Sequence, residues 1–349
     1  MKRPVMDEIR AEQVIGELKA ENTRLMQRLA KAKQKNEELV AAVYRAAKDA
    51  ADSLVVPPVR PPKPDTRSKG GEVAVAVLSD WQLAKVTSTY NSRICEQRIE
   101  RYADKVLELS DIQRSHHPVR ECRIYLVGDL LEGELIFPGQ AHLIDASLYE
   151  QILVSGRRTL AQFVRRMLGH FERVRVVGVI GNHGALGGRS RREYHPESNA
   201  DAMMYETTRL VLKGDDDSRE PRLEWTSNRL PLQRLWYAVD RIGRWGWLLV
   251  HGDQFRGGYA DYPWYSAGKK ILRWRNGGIP EEFHYVVTGH FHTPGRHLFG
   301  RIRHWANGAT ESTNEYAAER IGNQGDPSQW LLFCHPEKGV TAEYEVYLK

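Results

Sequence analysis

The sequence contains little cysteine and no long apolar run. Its 349 residues include three cysteines, Cys95, Cys122 and Cys334, which are widely spaced and form no C-x-x-C pair. This spacing excludes a disulfide framework and a zinc finger, so metal ligands would come from Asp, Asn and His. No stretch approaches the roughly 18 apolar residues of a bilayer span, and no apolar segment follows the charged start MKRPVMDEIR. A cytoplasmic protein without membrane contact is expected.

Positive charge is concentrated near the N-terminus. Residues 1–71 contain 15 Lys and Arg against 10 Asp and Glu, which accounts for +5 of the net charge of +6. A basic arm of this kind is typical of proteins that bind an anionic partner such as nucleic acid, although a solvated charged helix has the same composition.

Residues 1–53 are predicted to form an α-helical coiled-coil arm. The apolar seam has its a positions at Ile15, Asn22, Leu29, Asn36, Val43 and Ala50 and its d positions at Leu18, Leu25, Ala32, Leu39 and Ala46. Because Asn at position a favours a parallel two-stranded register, residues 12–50 predict a homodimer. The alternative is a single helix that lies on the catalytic domain of its own chain.

A Pro-rich linker and one large domain follow the arm. Residues 54–71 contain five prolines and end in a Gly pair, which is typical of a semi-stiff linker. In residues 72–349, apolar runs at 72–79, 122–128 and 173–180 alternate with helical patterns near 93–114, 144–170 and 199–213. Further strands are predicted at 232–240, 246–250, 284–288, 301–305, 329–335 and 341–348. This order predicts an α/β fold with two sheets packed face to face and flanked by helices.

Five of the apolar runs end in polar clusters. The segments are VAVAVLSDWQ (Asp80, Gln82), IYLVGDLLEG (Asp129), VVGVIGNHG (Asn182, His183), WLLVHGD (His251) and YVVTGHFH (His290, His292). Since strand ends at one edge of a sheet lie close together, a shared site is expected there. Carboxylate, amide and imidazole ligands suit manganese, iron or zinc, and Asp129 is the candidate to bridge two ions. His183 follows a ligand and could instead protonate a leaving-group oxygen.

In this order the motifs resemble those of the calcineurin-like metallophosphoesterases. The resemblance covers roughly residues 72–315 and implies the two-sheet metallophosphoesterase sandwich of that family. It also implies two divalent metal ions, with manganese preferred and iron or zinc as alternatives. The implied ligands are Asp80, Asp129 and His292 for one ion and Asp129, Asn182, His251 and His290 for the other. His183 takes the position of the family's catalytic histidine, and hydrolysis would proceed by in-line attack of a hydroxide activated by the metals.

The chain departs from the family pattern at three positions. Gln82 stands where the family has a histidine ligand, and a neutral amide is a weaker donor for a transition metal. Gln82 is therefore either a ligand of the first metal or a residue outside the coordination sphere. Glu132 replaces a shorter acidic or amide residue and is expected to hold a ligand or the Asn182 loop in place. Gly184 replaces an acidic residue and is expected to leave room for a larger substrate.

Basic residues near these motifs are candidates for substrate contacts. Arg189, Arg191 and Arg192 follow the GNH motif, Arg256 follows VHGD, and His142 lies in the loop FPGQAHLID. Arginine forks bind phosphate oxygens in a bidentate manner. Aromatic residues alternate with basic ones in 255–275, which indicates either a surface that stacks unpaired bases or ordinary core packing.

These features together predict a nuclease that hydrolyses DNA phosphodiester bonds, similar to the DNA-repair exonucleases and phage-encoded phosphoesterases of the family. One alternative is a small-molecule phosphatase or cyclic-nucleotide phosphodiesterase, in which the arginines hold a few phosphates. A second alternative is a non-catalytic coiled-coil scaffold with a degenerate metal site.

Overall fold

A computed structural model describes residues 57–68, 70–187, 195, 198–212, 222–226, 236–256, 262–312 and 326–349, together with eleven positions between 20 and 49. The chain divides into two units, Met1–Ala50 and Ala51–Lys349. The described positions of the first unit are helical. All a and d positions of the predicted heptad lie outside the described residues, so the coiled coil and the homodimer stay predictions.

The first sheet of the large unit has six strands in the order β11-β10-β1-β2-β3-β4. Strands β1 to β4 are parallel neighbours, and β10 and β11 extend the sheet in antiparallel fashion. The strands are β1 (Val73–Leu78), β2 (Glu121–Leu126), β3 (Arg173–Gly178), β4 (Leu223–Thr226), β10 (Ser328–His335) and β11 (Gly339–Tyr347). Every residue of β1 is buried, as expected for a central strand covered on both faces.

The second sheet has five strands in the order β5-β6-β7-β9-β8. Strands β6, β7 and β9 are parallel, and β5 and β8 are antiparallel edges, so the sheet is mixed. The strands are β5 (Tyr237–Ile242), β6 (Trp245–Val250), β7 (Tyr285–Thr288), β8 (Gly295–Phe299) and β9 (Ile302–Ala306). The sequence pattern did not predict β4 or β8, since β4 has four residues and β8 begins Gly-Arg-His without an apolar alternation.

The main core lies between the two sheets. It contains Val75 and Tyr125 from the first sheet and Trp247, Val287 and Trp305 from the second. The Tyr125 and Trp247 rings meet edge to face across the interface with centroids 5.8 Å apart. The prediction of an α/β fold with two face-to-face sheets is therefore confirmed.

Four helices flank the sheets in the described part of the large unit. They are α1 (Ser92–Arg114), α2 (Arg157–His170), α3 (Ala200–Val211) and α4 (Trp264–Arg273). Helix α2 is preceded by a helical turn at Leu148–Glu150 and a π-helical turn at Gln151–Gly156. The helix predicted from 144 thus begins later, because Ser147 and Glu150 form a capping box that defines its start. No helix among the described residues is long and apolar enough to cross a membrane.

The described part of the Pro-rich segment, 57–68, contacts the large unit. Arg120 Nε donates to the Asp65 carbonyl at 2.7 Å, and Arg165 donates to the Pro57 carbonyl at 2.8 Å. The Asp65 amide in turn donates to the Glu172 carboxylate at 2.8 Å. Over these residues the segment is attached to the surface of the domain. The domain boundaries proposed from the sequence stay predictions.

Candidate metal centre

The loops after β1, β2, β3, β6 and β7 bring the predicted ligands together. Each of these parallel strands delivers its polar cluster at its carboxyl end, where an α/β sheet places its functional residues. One ligand atom from each of Asp129, His251 and His290 lies within 4.8 Å of the others. Three clusters that are far apart in sequence therefore meet at one point.

The backbone at this point is strained. Among the described residues, six non-glycine residues have a positive φ, and five of them belong to the predicted metal site. These five are Asp80 (52°), Gln82 (44°), Asp129 (53°), His290 (73°) and His292 (57°). Residues other than glycine rarely adopt this left-handed backbone conformation. Residues that do adopt it are found mainly at functional sites.

Asp129 and His251 present their metal-binding atoms to each other. The Nδ1–H of His251 donates to the Val127 carbonyl at 2.7 Å, which directs Nε2 toward Asp129. His251 Nε2 lies 3.0 Å from Asp129 Oδ2 as an ion pair, and neither atom has another hydrogen-bond partner. The buried Asn182 Oδ1 also lacks a hydrogen-bond partner. Buried polar atoms nearly always have a hydrogen-bond partner or another ligand. These three atoms are therefore suited to coordinate a cation.

The charges of this cluster shift its pKa values strongly. Burial raises the pKa of Asp129, but the positive charges of His251 and His183 outweigh it and hold the pKa well below its usual range. Burial lowers the pKa of His251, but Asp129 outweighs it and raises the pKa to about 10. Burial and the charge of His251 lower the pKa of His290 to about 3.

Asp80, Gln82 and His292 lie together beside Asp129. The Asp80 carboxylate accepts the backbone N–H of His290 at 3.0 and 3.1 Å and lies 3.4 Å from His292 Nε2. The Gln82 side-chain nitrogen is 3.1 Å from the same His292 atom. The structure thus brings six of the seven predicted ligands together. The seventh, Asn182, precedes His183, whose backbone N–H donates to Asp129.

A buried carboxylate that the sequence motifs did not indicate supports two of the ligand loops. Asp201 accepts backbone hydrogen bonds from Asp129 (2.9 Å), Gly181 (3.0 Å), Leu130 (3.1 Å) and Leu131 (3.3 Å). Burial, and then the charge of Asp129, raise the pKa of Asp201 to about 6. The only sequence signal was the position of Asp201 in the first turn of α3, after the N-cap Asn199.

His183 is held by Glu132. The His183 backbone N–H donates to Asp129 Oδ1 at 2.8 Å, and its Nδ1 lies 3.2 Å from Glu132 Oε2. The Glu132 carboxylate is buried and accepts from Gln140 Nε2 at 3.0 Å. Burial lowers the pKa of His183, but the charges of Asp129 and Glu132 outweigh it and raise the pKa to about 9. The contact of Glu132 is therefore with His183, next to the predicted ligand Asn182.

Gly184 does not leave space for substrate. A Cβ on Gly184 would lie 2.6 Å from Asn199 Oδ1 and 3.0 Å from the Asp201 backbone nitrogen. The expectation of room for a larger substrate is therefore wrong, because the N-terminus of α3 already occupies that space.

The predicted substrate contacts are only partly described. Arg189, Arg191 and Arg192 lie outside the described residues, whereas Arg256 and His142 are exposed. Within 255–275 the aromatic residues have two environments. Tyr262 is buried and packs on Trp264 with ring centroids 4.2 Å apart, while Tyr265 is 85% exposed. At Tyr262 the core-packing alternative is therefore correct.

No family model matches the chain, and no curated protein is significantly similar to it. Its fold is similar to that of a hypothetical protein from Pyrococcus horikoshii, at 14% identity and a TM-score of 0.39, covering 79% of this chain and 89% of that one. A predicted phosphoesterase from Streptococcus pneumoniae matches at 14% identity and a TM-score of 0.31, covering 79% and 99%. An archaeal phosphodiesterase matches at 9% identity and a TM-score of 0.35, with the same coverage. At this similarity, the function has to be inferred from the chain's own residues.

Proposed function

We propose that this protein is a divalent-metal-dependent phosphodiesterase of the calcineurin-like metallophosphoesterase family. The main support is the convergence of Asp129, His251 and His290, each of which has a ligand atom within 4.8 Å of the others. The buried Asn182 Oδ1, which has no hydrogen-bond partner, adds to this support. The ordered motifs at five strand ends and the strained backbone of their ligands agree with this assignment. A cation held there would neutralise charge on phosphoryl oxygens and activate a water molecule for attack.

The protein's own residues would prepare the leaving group. Glu132 contacts His183 Nδ1 and so orients the ring, with Nε2 as the atom that would donate a proton to the leaving oxygen. The bond from the His183 backbone to Asp129 Oδ1 ties this ring to the candidate bridging ligand. Asp201 would keep the loops of Asp129 and Asn182 at a constant separation.

The proposed substrate is DNA. The support is the basic N-terminal arm and the exposed Arg256, which lies five residues after the candidate ligand His251. Arm charge would add salt-sensitive affinity for a phosphate backbone. A homodimer through residues 12–50 would bring two such sites to one nucleic acid. The small-molecule phosphatase and the scaffold are the other outcomes of the test.

The test is Mn²⁺-dependent hydrolysis of bis-p-nitrophenyl phosphate beside single-stranded, duplex and nicked DNA. Both substrate types should be cleaved, and His183→Ala should lower kcat by about 10²–10⁴-fold. His116→Ala is the matched control, because His116 is an exposed residue after α1. Cleavage of the small diester alone would support the small-molecule alternative. A metal-loaded protein without either activity would support the scaffold.

A further inference from the structure

The two candidate metal positions differ in how their donor atoms are used. We call Asp80, Gln82, His292 and the shared Asp129 the first position. The second position consists of Asp129, Asn182, His251 and His290. At the second position, Asn182 Oδ1 has no hydrogen-bond partner, and Asp129 Oδ2 and His251 Nε2 have none beyond their mutual 3.0 Å contact. At the first position, the side chains of Gln82 and His292 already have partners within the protein.

Lys85 determines the orientation of Gln82. Its Nζ lies 2.8 Å from Gln82 Oε1, and an ammonium group only donates hydrogen bonds. The Gln82 oxygen must therefore face Lys85, which leaves the amide N–H₂ of Gln82 facing His292. The oxygen is the only atom of Gln82 that could ligate a metal, so Lys85 holds the ligand atom.

The same arrangement occupies the imidazole of His292. The Gln82 amide nitrogen lies 3.1 Å from His292 Nε2, so the amide is in contact with the ring nitrogen that faces the first position. On the other side of the ring, Nδ1 lies 2.5 Å from Glu311 Oε1. Both nitrogens of His292 thus have protein partners. An ion at the first position would have to displace the Gln82 amide from Nε2.

Lys85 is itself held in place. Its ammonium forms an ion pair with the Glu311 carboxylate, and the two side chains are 17% and 4% exposed. Its backbone N–H donates to the Gln82 carbonyl at 3.0 Å, which fixes the turn between the two residues. A positive charge that is mostly shielded from water lies beside the first position, and it opposes the binding of a second cation there.

We propose that Lys85 makes the two metal positions unequal. The chain binds one divalent ion tightly at the second position and a second, exchangeable ion at the first position. Lys85 weakens the first position by holding the Gln82 oxygen and by adding a positive charge. This inference depends on the proposed metallophosphoesterase function, because it concerns the occupancy of the same site.

The experiment is a titration of the full chain with Mn²⁺. Ion binding is measured by isothermal calorimetry and by electron paramagnetic resonance. Wild type should bind one ion at least tenfold more tightly than the second. In Lys85→Met the weak affinity should rise at least tenfold while the tight affinity changes less than threefold. Lys105→Met is the matched control, because Lys105 forms a surface pair with Glu108 in α1, and it should behave as wild type.

Three results would overturn the inference. These are two equal affinities in wild type, an unchanged weak affinity in Lys85→Met, or an equal gain at both positions. If Lys85→Met does not fold, Lys85→Gln removes the charge and keeps a polar side chain, and it must give the same selective gain. Equal affinities with intact diester hydrolysis would refute the role of Lys85 alone. Absence of both metal binding and hydrolysis would refute the proposed function as well.

Discussion

Replacing Gly181 with alanine should disrupt the metal site directly. A Cβ at this position would lie 2.0 Å from Asp129 Oδ1, 2.3 Å from the Asp129 backbone nitrogen and 2.6 Å from its Cγ. Ordinary van der Waals contacts are 3.4–4 Å. Asp129 would therefore have to move by more than 1 Å, and its backbone would move with it.

The size of the effect follows from this overlap. Overpacking a well-packed region lowers the free energy of unfolding by about 1–3 kcal/mol, so Tm should fall. Loss of residues that merely support a ligand costs about 10–100-fold in metal affinity. Displacement of the candidate ligand Asp129 itself should cost at least about 100-fold in metal affinity at the second position.

The assay combines thermal unfolding with Mn²⁺ titration of Gly181→Ala. Gly169→Ala is the matched control, since its Cβ in α2 would meet only Val59 Cγ1 at 3.7 Å. The control should bind Mn²⁺ normally and gain about 0.5–1 kcal/mol, because alanine is the better helix former. Wild-type metal affinity in Gly181→Ala would show that the Asp129 carboxylate is not a ligand.

Three further predictions concern the support of the site and the arm. Asp201→Ala leaves four backbone N–H groups without their acceptor, and Mn²⁺ affinity should fall about 10–100-fold in a titration; unchanged affinity would contradict a role in holding the loops. Glu132→Gln should lower kcat for the small diester by about tenfold or more with little change in Mn²⁺ stoichiometry, whereas lost stoichiometry would make Glu132 a ligand. The full chain should have the molar mass of a dimer in light scattering, and the chain without residues 1–60 should have the molar mass of a monomer. If both have the same number of subunits, the coiled-coil dimer is refuted.

Sequence patterns were informative where local signals and tertiary structure agree. Strands β1, β6 and β7 are largely apolar runs, and β2 and β3 begin with alternating charged and apolar residues before an apolar end. Each of the five strands is followed by a polar cluster that has no role in a core. Parallel neighbours must place such clusters at one edge, so the site could be predicted without any contact information. Edge strands β4 and β8 have no such run and could not be predicted.

The supporting residues could not be predicted because their roles depend on long-range contacts. Asp201 is 72 residues from Asp129, and Glu311 is 19 residues from His292. Neither residue lies in a recognisable motif. Gln82 shows the same limitation. Its departure from histidine was visible in the sequence, but only the position of Lys85 reveals which atom of the amide faces the metal position.

The positive φ angles of the ligand residues bear on how the sequence can change. A residue with a side chain in the left-handed conformation lowers the stability of the fold by about 1–2 kcal/mol relative to glycine. Selection for heat resistance alone would therefore favour glycine at Asp80, Gln82, Asp129, His290 and His292. Each such replacement would remove a ligand candidate while relieving the backbone. The identity of the residues at these five positions is therefore explained by selection for function and not by selection for stability.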